Sequence, residues 1–105
     1  MIALLEQMLA QKLELHVPAG VVAQTWRDRK RPVTLGRFLR AKEVRIIPLD
    51  AALARACGEL CGSKRTTDVV DASVVLSARR TGDRIVTSDL RDLRHLDSKS
   101  VIISV

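Results

Sequence analysis

An α/β fold with a mostly parallel sheet is the expectation for this chain, and three observations lead to it. Short β-branched runs at residues 44–48, 85–87 and 101–105 alternate with longer stretches of helical period. Two of the runs, around Ile85 and Val86 and around Val101 and Ile103, are apolar at consecutive positions, as strands covered on both faces are. A helical stretch separates every strand from the next, and strands joined through helices pair in parallel.

Each element follows from local signals. Residues 1–11 (MIALLEQMLAQ) form a helix. Leu13, Leu15 and Val17 then alternate with Lys12, Glu14 and His16, the pattern of a strand with one wet face. Pro18 opens the next helix, which carries Val21, Val22, Gln24, Thr25 and Trp26. Pro32 breaks it, and a second basic helix follows with Leu35, Phe38 and Leu39 as its buried stripe. Residues 44–48 (VRIIP) make a strand, and Asp50 caps a helix bearing Ala51, Leu53, Ala54, Cys57 and Leu60. Thr66 and Thr67 offer N-cap hydroxyls to the next helix, with Asp68 and Asp71 where the dipole favours anions. That helix is apolar almost all round from Val69 to Ala78, which predicts burial on more than one side. Gly82 ends it. Ile85, Val86 and Thr87 form a strand, Leu90 to Leu96 a short helix, residues 98–100 a loop and residues 101–105 a last strand. The order is α-β-α-α-β-α-α-β-α-β.

Composition narrows the class. One hundred and five residues suit one domain, 1–105, with 47% hydrophobic and 29% charged residues. No apolar run approaches a membrane span and no signal peptide is visible, so no membrane partner is expected. Two cysteines are too few for a disulfide scaffold, which points to a reducing, cytoplasmic setting. The net charge is +6, and the segment from Arg27 to Arg45 holds the whole surplus. Its cations Arg27, Arg29, Lys30, Arg31, Arg37 and Arg40 suit a polyanion such as RNA, or equally a solvated helical face.

The residues with chemistry have plain roles as well. Asp68 and Asp71 suit the helix N-terminus, and Asp89 and Asp92 suit the start of the Leu90 helix. Carboxylates at a strand end and a helix start also converge on one crevice in open α/β sheets. Cys57 and Cys61 share a helix face but have no second Cys/His pair, so they are small core residues rather than a zinc site. His16 and His95 are solitary surface residues, and Trp26 is a core or interface residue. A plain nucleotide-binding domain is disfavoured because no glycine-rich phosphate loop is present.

The segment DVVDASVVLSARRTGDRIVTSDLRDL resembles the C-terminal half of a PIN domain, most closely the VapC-type toxins of bacterial toxin–antitoxin pairs. VPAGVVAQTWRD resembles the helix that follows that family's second strand. The resemblance implies a three-layer PIN-like fold and a Mg²⁺- or Mn²⁺-dependent endoribonuclease cleaving RNA. It also implies a homodimer and a cognate antitoxin protein. Position by position, it makes Asp71 and Asp89 the catalytic metal ligands and Asp92 the extra acidic position, with Asp68 left as a cap. Thr87 and Ser88 stand where the family keeps hydroxyls beside the metal.

Two departures accompany the resemblance. The family's first, central strand, with its aspartate, has no counterpart here. That strand would lie between residues 13–17 and 84–87, so either those neighbours pair directly, a groove stays open, or another chain fills it. A truncated reading frame or a start codon assigned too late would account for the loss. The second acidic position is Gln24, with Asp28 one turn further on. Reduced or absent activity is therefore expected, and the alternative is a non-catalytic RNA- or antitoxin-binding remnant.

Overall fold

The computed structural model describes residues 2–87, 90–97 and 102–104. The element order is α1 (Ile2–Ala10), β1 (Leu15–Pro18), α2 (Ala19–Arg27), α3 (Val33–Leu39), β2 (Val44–Ile47), α4 (Ala51–Lys64), α5 (Val69–Thr81), β3 (Ile85–Thr87), α6 (Leu90–Leu96) and β4 (Ile102–Ser104). This is a mixed α/β chain, and both of its strand pairs are parallel. It divides into two compact units, residues 1–48 and 49–105. Among the described residues, no helix is long and apolar enough to cross a membrane. The loop expected at residues 98–100 and the end residues 101 and 105 of the last strand lie outside the described residues.

In the first unit β1 pairs with β2, placing Leu15 opposite Val44 and Pro18 opposite Ile47. The first strand starts at Leu15 rather than Leu13, and Leu13 stays 46% exposed. The cause is the end of α1. Lys12 takes a left-handed conformation (φ 57°), its N–H donates to the Leu9 carbonyl, and the Leu13 N–H donates back to the Met8 carbonyl. Those crossed bonds close a Schellman motif that holds Leu13 at the helix end. Pro18, expected to open α2, is instead the last residue of β1 and the N-cap of α2. Its φ of −60° and ψ of 142° suit a strand end, and a cap residue keeps extended backbone. The buried positions here are few: Pro18, Gly36 and Val44.

The second unit holds the main core. Leu53, Cys57 and Cys61 recur at a spacing of four along α4 and face Ala72 and Val75 of α5, with Ile85, Leu93 and Leu96 completing the cluster. Asp50 caps α4 by accepting the Leu53 N–H at 2.8 Å. Leu60, Val74, Leu76 and Ala78 pack around this cluster, so α5 is covered on more than one side, although Val69 at its first turn is 50% exposed. The strand β3 pairs with β4, with Ile85 opposite Ile102 and Thr87 opposite Ser104. Among the described residues each sheet has two strands, β1 with β2 and β3 with β4.

Candidate metal centre

Helix starts place the acidic side chains of the second unit. Asp68 is the N-cap of α5, and its carboxylate accepts the Asp71 N–H at 3.1 Å. Asp68 also receives order from behind, its own N–H donating to Thr66 Oγ1 at 3.2 Å. Asp71 therefore sits three residues into the helix, above Asp68 on the same face. Both are half-buried.

The third carboxylate comes from α6. Leu93 and Leu96 of that helix are 2% and 1% exposed and anchor it in the core against α5. Two polar ties fix its orientation. Arg79 Nε of α5 donates to Asp97 Oδ2 at 2.9 Å, and His95 Nε2 bonds the Lys64 carbonyl at the end of α4 at 2.7 Å. So held, the first turn of α6 presents Asp92 to the start of α5. Asp68, Asp71 and Asp92 each offer one oxygen, and the three atoms lie within 4.8 Å of one another. Such a triad could hold a metal ion. Hard divalent cations take carboxylate oxygens at about 2.0–2.6 Å, so three ligands on one ion need about this spread. Like charges at this range repel by about 1–3 kcal/mol per pair, depending on solvent access, and a dication offsets that cost.

The expected residues fare differently. Asp71 and Asp92 come together as proposed ligands of one centre. Asp68, expected only as a cap, both caps and joins the cluster, because a carboxylate has a second oxygen to offer. The signal for this was the Asp68–Asp71 spacing, which puts both side chains on one helix face. Thr87 ends β3, while Ser88 and Asp89 lie outside the described residues. Gln24 is exposed on α2 of the first unit. Asp28, the residue beyond α2, accepts the Lys30 N–H at 2.9 Å and so orders the turn.

Both thiols are free, buried and structural. Burial raises the Cys57 thiol above its ordinary value, with Cys61 adding to the effect. Burial raises Cys61 too, and the charges of Asp68 and Asp71 push it further. His16 is an exposed partner of Glu14, 3.1 Å from Nε2 to Oε1.

In the first unit the basic residues surround Trp26. Arg31 lies over its ring, 4.4 Å from the centroid, and Arg40 lies 5.5 Å from it. Arg27, Arg29, Lys30 and Arg37 are exposed. Trp26 itself is 37% exposed, so it is a platform for guanidinium groups rather than a core residue. Compared with protein-family models, curated proteins and solved structures, the chain matches none.

Proposed function

We propose that this chain is a PIN-like domain of the VapC toxin type, a divalent-metal-dependent endoribonuclease spanning residues 1–105. The observation that carries the proposal is the meeting of Asp68, Asp71 and Asp92, from the starts of two helices, within 4.8 Å. The metal would be Mg²⁺ or Mn²⁺, since an all-carboxylate donor set suits hard cations. When bound, such an ion lowers the pKa of a coordinated water and neutralises charge on the phosphate.

The protein's own contribution is positional. Asp71 and Asp92 hold the ion, and Asp68 adds charge while keeping the helix start closed. Asp89, Thr87 and Ser88 complete the set in the PIN-like reading. Water attacks the phosphorus, the bond to one bridging oxygen breaks, and that oxygen leaves with a proton. The cations between Arg27 and Arg40 hold the RNA, a cognate antitoxin covers the toxin, two copies form the homodimer, and the setting is cytoplasmic. The three-layer arrangement without the family's central strand belongs to the same proposal.

A second reading keeps RNA or antitoxin binding without cleavage. The neutral amide of Gln24, where the family carries a carboxylate, favours it. One experiment separates the two. Purified protein is incubated with a structured RNA in Mn²⁺, in Mg²⁺ and in EDTA. Cleavage that needs the ion and falls at least about 100-fold in Asp71→Asn and Asp92→Asn supports the nuclease. RNA that binds with a steep salt dependence and stays intact in both metals overturns it in favour of the binding remnant.

A further inference from the structure

The turn from α2 to α3 builds a second feature, remote in chemistry from the carboxylates. Trp26, Pro32 and Val33 form an apolar floor, and Arg29, Arg31 and Arg40 rim it, around a cavity of about 260 Å³. We propose that this cavity receives one unpaired nucleotide of a single-stranded RNA, with its base on the floor and its phosphate on Arg29 and Arg40. The proposal rests on the basic segment being the RNA-facing surface.

Four observations point to that ligand. Three arginines and no carboxylate line the cavity, which favours an anionic ligand. Arg31 is pinned by Nη1 bonds to the Trp26 and Asp28 carbonyls at 3.1 and 3.2 Å, which fixes a flat guanidinium against the indole. Among the described residues the guanidinium groups of Arg29 and Arg40 make no hydrogen bond or ion pair, and Arg40 lies 5.5 Å from the Trp26 centroid, so their forked donors remain for a phosphate. Trp26 and Val33 are 37% and 73% exposed, so apolar surface remains beside the Arg31 guanidinium on the indole, and a base gains by lying on that guanidinium plane and its apolar surround.

Size and geometry favour a single unpaired nucleotide. Pockets for whole small molecules begin at about 300 Å³, so a cavity of 260 Å³ fits one nucleotide unit of a strand that continues outside. A paired base has both faces covered by its neighbours and cannot reach such a floor, which selects single strands over duplexes.

The chain has one Trp and no Tyr, so its intrinsic emission reports this cavity directly. The protein is titrated in EDTA with a single-stranded oligouridylate of about ten nucleotides. Control titrations use a duplex RNA of equal length and inorganic polyphosphate. Expected is saturable quenching of Trp26 by the single strand alone. In Arg29→Gln/Arg40→Gln, whose mutated positions are exposed, binding should weaken at least about tenfold, and the salt slope should fall by about 0.7 per lost contact. Unchanged emission on RNA addition, equal quenching by duplex or polyphosphate, or full affinity in the double variant overturns the proposal. EDTA keeps cleavage out of the measurement. Quenching without later metal-dependent cleavage therefore counts against the nuclease alone, and cleavage without quenching counts against the nucleotide pocket alone.

Discussion

At the scale of single residues, Asp68 shows how a structural role and a chemical one share a side chain. Its carboxylate accepts the Asp71 N–H while standing in the acidic triad. The two roles separate by substitution. Asn caps as well as Asp, so Asp68→Asn should change stability by less than about 0.5 kcal/mol in urea unfolding, yet weaken Mn²⁺ binding measured by calorimetry. Asp68→Ala should lose both, with about 1 kcal/mol of stability. The sequence marked Asp68 as a cap because capping is decided within four residues. Its share in the triad depended on a partner 24 positions away, which no local signal reports.

Cys61 gives a second test at this scale. Burial, then Asp68 and Asp71, raise its thiol above its ordinary value of about 9.0. Folding thus favours the neutral form, and the native state holds more protons than the unfolded chain once pH exceeds that value. Stability from this group is complete below about pH 9 and is lost as pH rises through the folded pKa. Alkaline unfolding should therefore be delayed in Cys61→Ala relative to the loss that variant shows at pH 7, as followed by circular dichroism in urea. Thiol labelling at pH 8 should be slow until the protein unfolds, because the thiolate is the reactive form.

Elements in this protein end by one device used three times. After α1, α4 and α5 a left-handed residue turns the chain, and the next N–H reaches back five residues to a helix carbonyl. The residues are Lys12, Arg65 and Gly82, with φ of 57°, 56° and 71°. Glycine makes its stop visible in a sequence, and Gly82 was legible for that reason. Lys12 and Arg65 carry no such mark, and the strand that the alternation from Leu13 predicts starts two residues later, at Leu15. Their Cβ atoms crowd the following carbonyl at positive φ. Lys12→Gly and Arg65→Gly should each stabilise by about 0.5–1 kcal/mol in chemical denaturation. Proline left a comparable ambiguity. Pro18 serves equally as a strand end or a helix start, and pairing with Ile47 made it the former.

For the molecule as a whole, burial is uneven. The cluster of Leu53, Cys57, Cys61, Ala72, Val75, Ile85, Leu93 and Leu96 lies entirely in residues 49–105, whereas α2 has no buried residue. Hydrogen exchange should follow that difference. Amides of α4 and α5 should be protected by at least about tenfold more than those of α2, since opening α2 exposes little apolar surface. Comparable protection in all three helices would show that the first unit draws stability from contacts its own burial does not express.

By itself the sequence determined the succession of ten elements, the parallel character of the strands, the caps at Asp50 and Asp68, the stop at Gly82 and the concentration of positive charge from Arg27 to Arg45. All of these follow from backbone propensities, side-chain periodicity and charge, which act over a few residues. Only the tertiary structure decided that α6 brings Asp92 to Asp68 and Asp71, that the strands pair as β1 with β2 and β3 with β4, and that Arg31 and Arg40 close over Trp26. Those contacts join residues whose separation along the chain carries no fixed geometry. Packing of Leu93 and Leu96, ladder register and guanidinium stacking supplied it.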